Sequence, residues 1–341
     1  MPEDRFRTEC EGLVRAWGRY GRGHLRDYLV QGVEDPRINI QSILTRHFLI
    51  EQLFGSRFEA VAEAELHFAI VMNWLMKVVS ESRRAEHLSD VLDALMDGSG
   101  AAGCAPIPSY VRRDFDRLPR EIGGSEIGNY ISEVLMWAPV EAVALPLPES
   151  AMNTFATVWG RLLAGERCGR VSVIEPACGS ANDYRFIDAY GIARHVDYHG
   201  FDLCGKNIDN ARQMFGDISF AWGNALAIHR ANKSFDCCFV HDLLEHLSIA
   251  AGELALEEIL RVTRRACCLG LFNTGGDGEH VERRVDDYYW NTLSLSRIEA
   301  FLAARGWAAQ IVHVDTLLRG RFQCGDTHNR GACTVVATIK T

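Results

Sequence analysis

The feature that most constrains the fold of this chain is the stretch VSVIEPACGSAND at residues 171–183. It opens with a β-branched apolar run, 171–174, which predicts a short buried strand of a parallel sheet. Glu175 ends this run, a loop of small residues follows, and Asn182 or Asp183 is placed to cap the next helix. A strand, a tight loop and a helix N-terminus in this order form a crevice where backbone N–H groups and the helix dipole meet a ligand.

Composition limits the partners of this protein. The 341 residues suffice for about two domains. The net charge of −9 argues against nucleic acid, because affinity for a phosphate backbone depends on clusters of Lys and Arg. The eleven cysteines show no C-x-x-C spacing, the N-terminus has no apolar signal core, and the apolar stretch 66–79 is too short to span a bilayer. We therefore expect a reduced, cytoplasmic protein with no nucleic-acid or membrane partner.

The first part of the chain, residues 1–145, shows helical periodicity without convincing strand alternation, which predicts an all-α N-terminal domain. The predicted helices cover residues 6–20, 40–54, 58–79, 89–96, 111–118 and 125–137. A glycine-rich linker at 98–109 separates two helical groups. The proline-containing segment APVEAVALPLPES, 138–150, marks the boundary to a second domain, 146–341.

Two further strands of the second domain end in polar side chains. The run 196–201 predicts a strand that leads to Asp202, about twenty residues beyond the first loop. A carboxylate at that position is placed to accept hydrogen bonds from both hydroxyls of a ribose. A third strand at 218–222 leads into a loop that contains Asn224. The same arrangement suits a nicotinamide-dependent enzyme, so that class stays open at this point.

The segment 234–274 distinguishes between the enzyme classes that share these strand ends. It contains an acid-led apolar strand at 237–240, the turn HDLLEHL at 241–247, an amphipathic helix that ends in RV at 261–262, and an apolar strand at 267–272. With the first loop and Asp202, this pattern closely resembles the class I S-adenosylmethionine-dependent methyltransferases.

The resemblance extends to the first loop, although two glycines of that family are replaced. Gly179 stands at a glycine position, whereas Ala177 and Ala181 stand where glycines are common. The resemblance implies an α/β fold with a seven-stranded, mostly parallel, doubly wound sheet that ends in an antiparallel hairpin of strands 309–317 and 332–339. The all-α domain precedes this sheet.

The family also implies the cofactor, S-adenosylmethionine, with S-adenosylhomocysteine as the product. The first loop and Glu175 would hold its methionine part, Asp202 its ribose, and the loop at Asn224 its adenine. The residues expected at the cofactor are Glu175, Ala177, Gly179, Asp202, Leu203, Asn224, Ala225, His241, Asp242 and Leu243.

An acceptor hydroxyl must lose its proton during methyl transfer, and imidazole is a natural base near neutral pH. We therefore expect a small-molecule oxygen acceptor, with His241, His246 and His280 as candidate catalytic histidines and Tyr289 as an orienting group. Carbon, nitrogen and thioether sulfur acceptors remain open, because a neutral basic nucleophile needs no general base. We expect no metal, since the chain lacks the acidic cluster that a hard cation requires.

The N-terminal domain resembles the cap, dimerisation and substrate-binding regions that many small-molecule methyltransferases carry. The resemblance implies a homodimer through the helices of residues 1–145. The alternative to an enzyme is a binding or scaffold protein that has kept the fold and lost turnover, and the altered first loop is the feature that supports it. The sequence does not identify the acceptor.

Overall fold

The computed structural model describes residues 2–18, 36–82, 94–95, 106–118, 155–275, 278–325 and 330–340, with the backbone alone for 75–82. The predicted helix at 125–137 and the predicted domain boundary at 138–150 lie outside these residues. The predicted helix at 89–96 and the linker at 98–109 lie mostly outside them.

The described N-terminal part is helical, as predicted. After a single turn at Pro2–Arg5, its helices are α1 (Arg7–Gly18), α2 (Ile40–Phe54), α3 (Glu59–Ser82) and α4 (Ser109–Asp116). Helix α5 (Ala156–Leu163) follows the predicted boundary at 138–150 and precedes the sheet. Helix α2 shows why the chain is helical here. The Asn39 side chain accepts a hydrogen bond from the Ser42 N–H at the start of α2, and Gly55 ends α2 with a φ of +62°, a conformation that glycine adopts at little cost.

The second part contains a seven-stranded sheet. Its strands are β1 (Val171–Pro176), β2 (Val196–Asp202), β3 (Ser219–Trp222), β4 (Phe235–His241), β5 (Thr263–Leu271), β6 (Trp307–His313) and β7 (Cys333–Ile339). The order across the sheet is β6-β7-β5-β4-β1-β2-β3. Strand β7 is antiparallel to both of its neighbours, and the pairs from β5 to β3 are parallel. The predicted sheet and its terminal hairpin are confirmed.

Five helices and two short ladders complete this part. The helices are α6 (Asn182–Ala189), α7 (Gly205–Met214), α8 (Ile249–Val262), α9 (Leu295–Ala304) and α10 (Val314–Phe322). The ladders pair residues 274–275 with 293–294, and residues 284–285 with 288–289. Both ladders lie in the segment between β5 and α9, beside the carboxyl ends of the parallel strands.

Two details of the sequence prediction were wrong. Neither Asn182 nor Asp183 caps α6, because Ala181 precedes the helix in a left-handed conformation and no side-chain cap is made. The strand predicted at 309–317 stops at His313, and α10 begins at Val314. Val314, Leu318 and Phe322 are buried at helical spacing, which favours a helix over continued strand pairing.

The N-terminal helices share the hydrophobic core of the sheet. One core cluster joins Ile43 of α2 and Phe68 of α3 to Phe186 and Phe239, and another joins Leu13 of α1 to Ile259 of α8. These contacts place α1 and α2 at the carboxyl end of the parallel strands, where ligands bind in open α/β sheets.

Candidate functional site

A cavity of about 260 Å³ lies at the carboxyl ends of β1, β2 and β4. Its floor consists of the loops that follow these strands, within residues 175–247, and its roof consists of α1, α2 and Pro36. All ten residues predicted at the cofactor line it: Glu175, Ala177, Gly179, Asp202, Leu203, Asn224, Ala225, His241, Asp242 and Leu243. The predicted cofactor residues are therefore brought together in one place.

The loop after β1 alternates left-handed residues. Ala177, Gly179 and Ala181 have φ values of +56°, +55° and +65°. Alanine adopts this conformation at a cost of roughly 1–2 kcal/mol, so the chain retains the backbone of a glycine-rich loop with two strained alanines. A Cβ atom built on Gly179 would meet only the Asn182 side chain, at 3.6 Å. The loop thus leaves room for a ligand to approach its backbone.

Asp202 holds the floor together as well as facing the cavity. Its Oδ2 accepts a hydrogen bond from the Gly179 N–H at 3.0 Å, and its Oδ1 accepts from the Cys204 N–H at 2.7 Å and from the Asn207 amide at 3.2 Å. Burial raises the pKa of the Asp202 carboxyl, and these three hydrogen bonds oppose that rise. The carboxylate joins the ends of β1 and β2 at the position expected for a ribose.

Hydrogen-bond acceptors are concentrated at the methionine end of the predicted site. Glu175 is buried and accepts a hydrogen bond from the Tyr198 hydroxyl, while burial and the nearby Asp183 raise the pKa of Glu175 well above its usual value. The oxygens Asn182 Oδ1 and Asp183 Oδ1 are buried without a hydrogen-bond partner. None of the described residues that line the cavity is Lys or Arg. These acceptors suit a cationic ligand with N–H donors.

His241 is held on both sides of its ring. Its Nδ1 lies 2.8 Å from Asp183 Oδ2, and its Nε2 lies 2.5 Å from the Thr45 hydroxyl of α2. The Asp183 carboxylate accepts only, so Nδ1 carries a proton. Burial works against the charged ring, yet Asp183 raises the pKa of His241 above its usual value. Both ring nitrogens of His241 are therefore in hydrogen bonds, one to Asp183 in the floor and one to Thr45 in the roof. His241 thus connects the floor to the roof.

His246 lies at the opposite side of the cavity, also with both nitrogens engaged. Its Nε2 is 2.9 Å from Asp242 Oδ1 and its Nδ1 is 3.1 Å from the Tyr289 carbonyl oxygen. The ring packs against Trp17 of α1 and against Tyr288 and Trp290, with centroid distances of 5.3 to 5.5 Å. Predicted candidates His241 and His246 both line the cavity.

The other two predicted catalytic groups are placed elsewhere. His280 lines a separate cavity of about 40 Å³ between α8 and α9, where its Nδ1 accepts a hydrogen bond from the Ser294 N–H at 3.0 Å. Tyr289 is absent from the described lining of the larger cavity and contributes its backbone carbonyl to His246. The structure therefore does not place His280 or Tyr289 in the described lining of the cavity that holds the predicted cofactor residues, and their catalytic roles stay a prediction.

The roof residues were missed from the sequence. Cys10, Leu13 and Trp17 of α1 and Asn39 and Ser42 near the start of α2 line the cavity. Helical spacing of the apolar residues predicts the helix at 6–20, but it does not say which surface the helix covers. The position of α1 is fixed by distant contacts, such as the Glu9 carboxylate, which accepts hydrogen bonds from the Ser248 N–H and hydroxyl at 2.6 and 2.7 Å.

The described residues form neither a metal-binding cluster nor a membrane-spanning helix. Within the ranges that the structure describes, no group of three or more His, Cys, Asp and Glu side chains is arranged to hold a metal ion. No helix among the described residues combines the length and apolar character needed to cross a bilayer.

The fold and the site define a Rossmann-like α/β protein with a ligand cavity at the carboxyl edge of its parallel strands. Residues 173–266 match the family model described as "Methyltransferase domain". The second part of this chain therefore matches a methyltransferase domain, and its seven-stranded sheet has the arrangement of the class I, S-adenosylmethionine-dependent methyltransferases. No curated protein sequence matches the chain.

Several solved structures share parts of the fold at low identity. A methyltransferase from Mesorhizobium loti is 14% identical, with 55% of this chain and 99% of that chain covered and a TM-score of 0.40. Magnesium protoporphyrin IX methyltransferase from Synechocystis PCC 6803 is 12% identical, with 65% and 95% covered and a TM-score of 0.38. A 1,6-didemethyltoxoflavin-N1-methyltransferase from Burkholderia thailandensis is 16% identical, with 71% and 95% covered and a TM-score of 0.38.

Proposed function

We propose that this protein transfers the methyl group of S-adenosylmethionine to a hydroxyl oxygen of a small molecule. The observation that carries the proposal is the cavity lining: ten predicted cofactor residues meet there, acceptor oxygens dominate one end, and the described lining holds no Lys or Arg. When bound, the cofactor supplies an activated methyl carbon for in-line displacement.

Successive loops of the floor match successive parts of the cofactor, from the methionine part through the ribose to the adenine. Glu175, Asn182 and Asp183 present acceptor oxygens to the ammonium group of the methionine part. Asp202 retains acceptor capacity beyond its three protein donors, since two carboxylate oxygens offer about four lone-pair sites, and it receives the ribose hydroxyls. Asn224 and Ala225 lie at the end of the cavity that would take the adenine.

The roof supplies the wall opposite this floor. Leu13 and Trp17 of α1 line the same cavity as His246 and Asp242, so an acceptor between them would be shielded from water on its apolar side. A small molecule fits this closed arrangement better than a polymer, because α1 covers the floor and is held to α8 through Glu9 and Ser248. A homodimer through the N-terminal helices is a further part of this proposal.

Calorimetric titration with S-adenosylhomocysteine tests the cofactor assignment. We expect the wild-type protein to bind, and we expect Asp202→Ala to weaken binding about 100-fold, since a hydrogen-bonded charge contributes roughly 1.5–3 kcal/mol. Asp209→Ala, an exposed change on α7, is the matched control and should bind as the wild type does. Denaturant unfolding of Asp202→Ala separates binding from folding, because Oδ2 accepts from the Gly179 N–H and Oδ1 from the Cys204 N–H, and an amide side chain has only one oxygen to replace them.

A radiolabelled methyl donor then tests turnover on a panel of phenols and aliphatic alcohols, with amines and thioethers alongside. Label transferred to alcohols or phenols supports oxygen methylation. Label confined to amines or thioethers would overturn the oxygen assignment and leave the cofactor site intact. A wild-type protein without affinity for S-adenosylhomocysteine would refute the proposed function altogether.

A further inference from the structure

His246 makes two hydrogen bonds that a neutral imidazole cannot make together. Its Nδ1 faces the Tyr289 carbonyl oxygen at 3.1 Å and its Nε2 faces Asp242 Oδ1 at 2.9 Å. A carbonyl oxygen and a carboxylate only accept, whereas a neutral ring has one N–H donor. Both contacts are satisfied when each nitrogen of the ring carries a proton, so His246 is an imidazolium paired with the Asp242 carboxylate.

The surroundings of His246 favour this charged ring. Trp17, Tyr288 and Trp290 lie within 5.5 Å of it, centroid to centroid, at distances where aromatic rings stabilise a cation. The charged groups that face it are Asp242 at the end of β4 and Glu245 in its own turn, and both raise the pKa of His246 against the effect of burial. An imidazolium that is already fully protonated does not accept a proton from a substrate.

Asp242, the partner of His246, is more exposed to the cavity than the histidine is. It is the first residue after β4, it has a φ of +50°, and its N–H donates to the Gly270 carbonyl at 3.2 Å. Its side chain lines the cavity and is 30% exposed, whereas the His246 side chain is 5% exposed. Oδ1 is used by His246, and within the described residues no donor is recorded for Oδ2. Because Asp242 lines the cavity, Oδ2 is the oxygen of this carboxylate that is left for a substrate hydroxyl.

We propose that Asp242 is the catalytic base of the proposed methyl transfer and that His246 is a positioning residue, held as an imidazolium by the aromatic box of Trp17, Tyr288 and Trp290. This inference rests on the proposed function. As the O–CH₃ bond forms, the bond from carbon to the sulfonium sulfur breaks and its electron pair stays on sulfur. The hydroxyl proton passes to Asp242 Oδ2, and His246 fixes the carboxylate through Oδ1. The proton leaves to solvent when the product departs.

The protonation state of His246 can be measured without knowing the acceptor. We would record the ¹⁵N resonances of histidine-labelled protein at pH 7.5, with S-adenosylhomocysteine present, and assign His246 by the signals lost in His246→Gln. We expect both ring nitrogens to be protonated in the wild type and Nε2 to be deprotonated in Asp242→Asn. His199→Gln, on β2 and outside the described lining of the cavity, should leave the His246 signals unchanged. A neutral His246 ring in the wild type would overturn the inference.

The second test measures kcat of the variants. The substrate is the hydroxyl compound that the wild type methylates fastest in the panel of phenols and alcohols. Asp242→Asn should lower kcat by 10²- to 10⁴-fold, the range of general base catalysis, with the affinity for S-adenosylhomocysteine changed much less. His246→Gln should lower kcat less than Asp242→Asn does. An unchanged kcat in Asp242→Asn would refute the base assignment. A wild-type protein that does not bind S-adenosylhomocysteine would instead refute the proposed function. The ¹⁵N signals would still report on the pair of His246 and Asp242.

Discussion

The floor and the roof of the cavity are held in place by different kinds of contact. The floor is tied largely by backbone bonds, such as the Cys178 N–H to the Phe201 carbonyl at 3.0 Å and the Asp242 N–H to the Gly270 carbonyl at 3.2 Å. The roof is tied by side chains, as where the Gln41 amide of α2 donates to the Leu271 and Cys333 carbonyls, each at 2.9 Å. Backbone bonds depend little on side-chain identity, so the floor follows a family pattern, whereas the roof depends on individual residues.

The roof has its own buried anchor behind the cavity. Arg46 of α2 pairs with Glu65 of α3 at 2.6 Å, with both side chains at most 2% exposed. The other Glu65 oxygen accepts a hydrogen bond from the indole N–H of Trp159, at 2.5 Å. Burial opposes ionisation, but the charge of Arg46 lowers the pKa of Glu65 to about 2. One ion pair thus joins α2, α3 and α5 in front of the sheet.

The largest effect should come from breaking this anchor. Arg46→Met leaves Glu65 buried without its cation, and loss of one partner of a buried pair costs about 3–5 kcal/mol. Denaturant unfolding should show this loss. The matched control is Arg57→Met, which removes a pair with Glu166 in which the arginine is 60% exposed and should cost at most ~1 kcal/mol. Equal losses in the two variants would contradict the distinction between buried and exposed anchors.

The free energy of unfolding should depend on pH because of Glu245, which lies in the turn after β4. Glu245 is fully buried, and burial together with the charge of Asp242 raises its pKa to about 7. Its protonated form is favoured in the folded state, so its contribution to the free energy of unfolding is complete below about pH 4.5 and is lost as pH rises towards 7.

Glu245→Gln keeps an oxygen for the Phe272 N–H and removes the titration. We expect its free energy of unfolding to vary less between pH 4.5 and 7 than that of the wild type, as measured by urea denaturation at several pH values. Asp209→Asn, an exposed change on α7, should retain the wild-type slope. A Glu245→Gln profile that coincides with the wild type would show that Glu245 does not titrate in this range.

The smallest expected change in stability is in the loop after β1, which forms part of the floor. Ala177 has a φ of +56° and is not fully buried, so Ala177→Gly relieves a left-handed alanine without opening a cavity in the core. We expect a rise in stability of about 0.5–1 kcal/mol, because the relieved strain exceeds the added freedom of the unfolded chain. Thermal unfolding measures it. Ala300→Gly, an exposed change in the interior of helix α9, should lower stability instead, and a loss in both variants would show that the loop is not strained.

The sheet and the floor follow from local patterns in the sequence. A β-branched run, small loop residues and a helix predict one strand–loop–helix unit after another, and such units have a restricted topology, so Glu175, Gly179, Asp202 and Asp242 fall on one edge. Local chemistry was enough because each of these residues lies at the end of a strand or in the loop that follows it.

Contacts between distant parts of the chain set which groups face each other across the cavity. Thr45 reaches His241, and Trp17 reaches His246, across long stretches of chain, and no local pattern specifies such pairs. The same holds for His280, which accepts a hydrogen bond from the Ser294 N–H, and for Tyr289, which pairs with Arg284 in a short ladder. The strand ends are fixed by hydrogen bonds between neighbouring backbones, whereas the roof is fixed by the packing of distant side chains, and periodicity in a sequence reports only that a face is apolar.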